Sequence, residues 1–199
     1  MRKTDLRVVK TKNNIRQCFF ELLKKKPLNE ISVNEICEMA NCSRNTFYMH
    51  YQYKDNLYEQ IVDECIAAIT KGFSPIVQRV GDLTDDLIAQ YAENFLSGVY
   101  ANADMLRVII ASDSNSTFKN RLTDAVYATL VASSKQVSER HAETEKWRII
   151  CRFTASGFVG FSIFWLGETN LSYDKAREIF HAVLESPMWA GRKYLPDSL

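Results

Sequence analysis

The sequence predicts an all-α protein. A three-helix domain built on a helix-turn-helix is expected over residues 1–53, followed by a larger helical domain over 54–199. Three observations lead there. Apolar residues recur at i, i+3, i+4 spacing along most of the chain, few runs alternate as strands do, and only 7 Gly and 4 Pro punctuate 199 residues.

Ile15, Cys18, Phe19, Leu22 and Leu23 form the apolar stripe of a first helix within residues 10–26. Lys24, Lys25 and Lys26 suit its last turn, where the dipole favours cations, and Pro27 breaks it. Ser32-Val33-Asn34-Glu35 is a capping box, so a second helix starts at Ser32 and turns Val33, Ile36, Cys37 and Ala40 inward. It stops at Asn41, a residue type that tolerates the left-handed backbone of a helix terminus. Ser43 caps a third helix, 44–51, anchored by Phe47 and Tyr51. A fourth opens at Lys54 and runs through Leu57, Ile61, Cys65 and Ile69 towards Ser74 and Pro75; Tyr53 denies it a side-chain cap. Thr84, Asp85 and Asp86 then cap and open a helix over 85–101. Shorter segments follow at 104–112 and 116–139. A long apolar helix comes next at 143–167, and Ser172 caps a last one with Ala176, Ile179, Phe180, Val183 and Leu184 as its stripe.

Charge is uneven. Residues 1–60 hold 11 Lys/Arg against 7 Asp/Glu, net +4, while the remainder is net −3, which suggests a polyanion partner for the N-terminal end. The five cysteines are odd in number and contain no CxxC, so buried thiols in a reducing cytoplasm are expected. Cys37, Cys42 and His50 lack a fourth ligand at zinc-finger spacing, so no metal is expected, and no cofactor. No signal peptide is read at the N-terminus, and the most apolar run, 153–167, is too short to span a bilayer, so no membrane partner is expected. No paired carboxylates, phosphate-binding glycine loop or nucleophile–base pair marks an enzyme; His141 and His181 read as isolated.

Between residues 44 and 54, Arg44, His50 and Lys54 are interleaved with Phe47, Tyr48, Tyr51 and Tyr53. In a helix-turn-helix the second helix enters the major groove with its N-terminal residues on base edges. Arg44, Asn45 and Thr46 occupy that turn, while Tyr48 and His50 lie where a phenol and an imidazole reach phosphates. Lys54 opens a helix against its dipole, a cost that a phosphate there would reverse. Met49 reads as a half-buried filler with a thymine-methyl contact as the alternative.

The stretch 31–62 resembles the DNA-binding domain of the TetR family of transcriptional regulators. The likeness is carried by Ser32, Ala40-Asn41-Cys42-Ser43, Phe47-Tyr48-Met49-His50-Tyr51, Lys54 and Leu57, with Asn41 in place of the usual turn glycine. The resemblance implies phosphate contacts from Ser32, Tyr48, His50 and Lys54. It also implies base contacts from Arg44, Asn45 and Thr46, with Ser43 at the head of the recognition helix. A homodimer on a pseudo-palindromic duplex and a small-molecule effector are implied as well. The effector pocket would draw on Tyr91, Phe95, Tyr100, Phe118, Tyr127, Trp147 and Phe153. Ser156, Gly157, Gly160, Phe161, Phe164, Phe180 and Val183 would form the dimer interface, since a helix apolar nearly all round must be covered on every side. The function expected is a DNA-binding regulator, as a repressor released by its effector. The alternative is a coactivator of the same fold that contacts a protein.

Overall fold

The structure, a computed structural model, describes residues 3–71, 85–113, 115–137 and 145–185. They form nine α-helices and one 3-10 turn, with no strand among the described residues. The chain divides into two compact units, 1–64 and 65–199, so the division falls inside the fourth helix, ten residues after its first residue, and not ahead of it.

In the first unit, α1 (Lys3–Leu23) starts earlier than its apolar stripe suggests and ends at Leu23, leaving Lys24, Lys25 and Lys26 just beyond it. Ile15, Cys18, Phe19 and Leu23 are buried and Leu22 half-buried. A 3-10 turn (Leu28–Glu30) leads to α2 (Val33–Met39), α3 (Arg44–His50) and α4 (Lys54–Lys71). The capping box of α2 is complete: the Ser32 hydroxyl accepts from Glu35 N–H at 3.2 Å, and the Glu35 carboxylate accepts from Ser32 N–H at 2.9 Å. At its other end Asn41 takes φ 48°, and the amides of Asn41 and Cys42 donate to the carbonyls of Glu38 and Cys37 at 3.2 and 3.0 Å. That pair of bonds is a Schellman motif, which satisfies carbonyls the helix would otherwise leave open. Asn14 of α1 supplies a further donor, to Ala40 O at 2.8 Å. Phe47, Tyr51, Leu57, Ile31 and Ile36 are each at most 2 % exposed, and each such side chain contributes about 1.5–3 kcal/mol. Arg16 of α1 forks onto the Glu64 carboxylate of α4.

The described part of the second unit contains the C-terminal end of α4, then α5 (Asp85–Ala101), α6 (Ala103–Ser112), α7 (Thr117–Val137), α8 (Glu145–Glu168) and α9 (Tyr173–Glu185). α8 packs against α6 and α7, and α5 packs against α9. Cys151, Ala155, Phe158, Ser162 and Trp165 recur at helical spacing on the inner face of α8. Ser162 is buried with its hydroxyl donating to Phe158 O at 2.9 Å. Ser172 caps α9 as expected, accepting from Lys175 N–H. The expected cap at Thr84, the breakers at Pro75 and Pro187, and His141 lie outside the described residues.

α8 corrects one expectation. Its apolar character extends back through Ile149 and Ile150, so the helix has 24 residues and is long and apolar enough, by length and composition, to cross a membrane; 39 % of that window is buried inside the protein. Arg152 interrupts it, paired with Asp124 of α7 at 2.6 Å, an arrangement suited to a packed core helix with one face left open.

Candidate nucleic-acid interface

α3 is short, and its two faces divide sharply. Phe47 is fully buried, and the rings of Phe47 and Tyr51 lie 5.6 Å apart beneath the helix. Arg44, Asn45, Tyr48 and Met49 are exposed, while Thr46 and His50 are half-buried. Ser43 accepts from Thr46 N–H at 3.1 Å, so its hydroxyl fixes the first turn of α3. Arg44 donates to the Tyr48 hydroxyl at 3.4 Å, and Tyr48 meets Phe47 edge to face. The outward surface of α3 therefore offers a guanidinium, an amide and a phenol side by side, held by a ring anchor below. Such a surface can donate in parallel to base edges and phosphates.

Met49 departs from the filler role. It is 76 % exposed, on the same face as Asn45 and Tyr48. Exposure of a flexible apolar side chain there suits contact with a thymine methyl.

Lys54 departs further. Its ammonium does not stand free at the head of α4 but donates to the carbonyls of Leu28 and Ile31, both at 2.7 Å, and of Asn29 at 3.3 Å. All three ammonium donors are thereby engaged. The cation sits at the C-terminal end of the 3-10 turn, where carbonyl oxygens converge and positive charge is favoured. The cost expected from placing a lysine at a helix start is thus removed by the protein itself. α4 is also not uncapped, because Asn56 reaches back to accept from Tyr53 N–H at 3.1 Å, one half of a capping box.

Ser32 stands exposed at the start of α2, and its hydroxyl also donates to Glu35 at 2.9 Å. Lys26 pairs with the same carboxylate, and these contacts, Lys26 first and then Ser32, lower the Glu35 pKa to about 2. An open depression beside this region is lined by Asn34, Cys37, Glu38, Asn41, Cys42, Ser43 and Arg44.

In the second unit the seven aromatics expected to line one pocket occupy different settings. Phe95 and Phe118 are buried, Phe95 in a cluster with Phe158 and Phe180. Tyr100 is exposed and stacks on Tyr173 at 4.3 Å. Tyr127 lies under Arg152 and accepts from Arg148. Tyr91 and Trp147 are half-buried, and Phe153 is 61 % exposed. Of the expected interface residues, Phe180 is instead core, 3 % exposed and 4.9 and 4.7 Å from the rings of Phe158 and Phe161. Gly157, Gly160 and Phe161 are half-buried, whereas Ser156, Phe164 and Val183 are exposed. His181 is not isolated either: it lies 3.0 Å from Glu93, which also accepts from Arg177 and Tyr173. Sequence reasoning missed that cluster because Glu93 lies 80 or more residues from the three α9 side chains it joins.

Comparison with known proteins bears on both units. A TetR family model described as a transcriptional regulator C-terminal region matches residues 86–185, half of the chain. Among solved structures, a TetR transcriptional regulator from Streptococcus agalactiae is similar at 20 % identity, covering 92 % of this chain and 98 % of its own, with a TM-score of 0.59. A TetR-family regulator from Streptomyces coelicolor shares 14 % identity over 85 % of this chain and 78 % of its own, with a TM-score of 0.58. The dihydroxyacetone kinase operon activator DhaS shares 17 % identity over 87 % of this chain and 93 % of its own, with a TM-score of 0.60. The matched C-terminal region and the helix-turn-helix ahead of it agree: this chain belongs to the TetR family of DNA-binding transcriptional regulators.

Proposed function

We propose that the protein acts in the cytoplasm as a homodimer on a pseudo-palindromic operator, repressing transcription until a small molecule releases it. The observation that carries DNA reading is the outward face of α3. Arg44, Asn45 and Met49 are assigned to bases, with Thr46 at the edge of that surface. Ser32, Ser43, Tyr48 and His50 are assigned to the backbone, and Lys54 holds the scaffold.

Dimerisation is supported by α8. Ile149, Phe153 and Phe164 are 68, 61 and 57 % exposed, and with Ser156 and Gly160 they fall on one helical stripe. A Cβ built on Gly160 meets nothing within 4 Å in its own chain, which leaves room for a second helix. Val183 of α9, 44 % exposed, is a further apolar side chain open to solvent in the single chain. Release requires an effector that binds the DNA-incompetent form more tightly than the other. Tyr91, Tyr127 and Trp147 are the aromatic candidates for its site, the buried Phe95 and Phe118 being packing.

Repression needs only occupancy of a promoter. Activation is the second reading, favoured by the likeness in fold to the operon activator DhaS. Selection of bound duplexes from a random pool, followed by transcription from a promoter carrying the selected site, tests both. Enrichment of a palindrome and reduced transcription are expected. Raised transcription would establish activation, and no enriched sequence would remove the DNA-reading assignment of α3.

A further inference from the structure

The Schellman motif ending α2 has a consequence for its side chains. Such a motif places the residue after the turn against the one that accepts its amide, usually as an apolar contact. Here both are cysteines: Cys42 N–H donates to Cys37 O at 3.0 Å. The Cys42 thiol is close enough to Cys37 to raise its pKa. A backbone bond of this kind also keeps the two Cα atoms near the ~4.4–6.8 Å that a disulfide spans. Cys37 is 5 % exposed, whereas Cys42 is half-buried, and both border the open depression beside α3. The remaining cysteines, Cys18, Cys65 and Cys151, are buried.

We propose that Cys37 and Cys42 are a redox-active dithiol, that a hydroperoxide closes them to a disulfide, and that closure weakens DNA binding. The more accessible Cys42 reacts first. Its thiolate attacks the peroxide, the O–O bond breaks, and an alcohol (water, for hydrogen peroxide) leaves while Cys42 becomes a sulfenic acid. The Cys37 sulfur then attacks the Cys42 sulfur, the S–O bond breaks, and water departs. Two thiols and one hydroperoxide give one disulfide, one alcohol and one water. Burial and the Cys42 neighbour push the Cys37 thiol up to about 11, so Cys37 is the less reactive of the two and enters only after Cys42 has been oxidised beside it.

The effect on DNA follows from position. Cys42 immediately precedes Ser43, the cap of α3, and Arg44, its first residue. A sulfur–sulfur bond of about 2.05 Å is much shorter than a non-bonded thiol contact, so the turn is drawn in. The start of α3 moves with it, and a bidentate contact to a base tolerates little displacement.

The covalent step stands on its own, while the effect on DNA rests on the function proposed above. The full chain is treated with hydrogen peroxide, alkylated and digested, and its affinity for the selected duplex is measured in parallel. A Cys37–Cys42 disulfide is expected, with the other three cysteines still alkylated, a fall in affinity of tenfold or more, and recovery with dithiothreitol. Cys42→Ser should bind when reduced and lose the response. Cys37→Ser should stop at a sulfenic acid that dimedone traps. Two free thiols at 37 and 42 after peroxide, or the same loss of binding in Cys42→Ser, would overturn the proposal. A disulfide without a change in affinity would overturn its regulatory half. Reduced protein that binds no duplex would refute the DNA reading while the mass measurement still decides the chemistry.

Discussion

Lys54→Met separates two roles that a lysine at this position could have, because it keeps most of the apolar stem and deletes the ammonium. In the structure the ammonium joins α4 to the carbonyls of Leu28, Asn29 and Ile31, directly ahead of the α2 cap at Ser32. The bonds to Leu28 and Ile31 are the short, partly buried ones. A hydrogen bond to a charged group is worth about 1.5–3 kcal/mol net, and bonds that share one cation are not additive. Freeing the lysine side chain returns entropy of up to ~2 kcal/mol, which offsets part of the loss. The expected result is a net destabilisation of ~1.5–3 kcal/mol, centred on the first unit. Urea unfolding of the full chain should show an earlier transition, and hydrogen exchange should show reduced protection around residues 28–36. Affinity for DNA should fall because α2 and α3 are less firmly held, but the dependence of log affinity on log salt should keep its slope. A phosphate contact predicts the reverse: a slope shallower by ~0.9 per contact, hence ~1.8 for a dimer, with stability unchanged. That second pattern would refute the scaffold role and return Lys54 to the DNA surface.

Four further outcomes can be checked. Arg44→Ala should cost roughly 1–3 kcal/mol per half-site and relax preference at one base position, measured by competition among operator variants. Met49→Ala should abolish the difference between a thymine and a deoxyuridine at one position, a difference expected for wild type if Met49 touches a 5-methyl group. Glu35, whose pKa is lowered to about 2, contributes stability that is present above the ordinary carboxylate range and is lost as pH falls from about 4 towards 2; Glu35→Gln should remove that part of the acid transition seen by circular dichroism. Gly160→Trp should leave helical content intact, since its own chain has open space there, yet shift the sedimenting species towards monomer at micromolar concentration; a mutant as dimeric as wild type would move the interface off this stripe.

What could be read from the sequence was local. The capping box at Ser32, the positive φ at Asn41, the cap at Ser43 and the inward pair Phe47 and Tyr51 each depend on residues fewer than five apart, and the structure shows them as expected. What escaped depends on distant chain segments or on symmetry of pattern. The ammonium of Lys54 finds carbonyls 23–26 residues earlier, and no spacing rule announces that a 3-10 turn will present its oxygens there. α8 is apolar on so many sides that periodicity could not say which rings meet the protein and which meet solvent. Phe158 is 3 % exposed while Phe164 on the same helix is 57 % exposed, and Phe180 of α9 shows itself as core only where it meets Phe158 and Phe161.

The same physics makes the two halves informative in different ways. The segment proposed to read bases is short and its geometry is fixed by caps, a turn and two rings, so its candidate residues can be named from the chain. The proposed effector recognition would draw on side chains from several long helices, and their shared apolar character hides which of them would face a ligand. A search for the effector site is accordingly better directed to polar groups that the second unit brings together over long sequence distances, such as Glu93 with Tyr173, Arg177 and His181, than to a tally of aromatic residues.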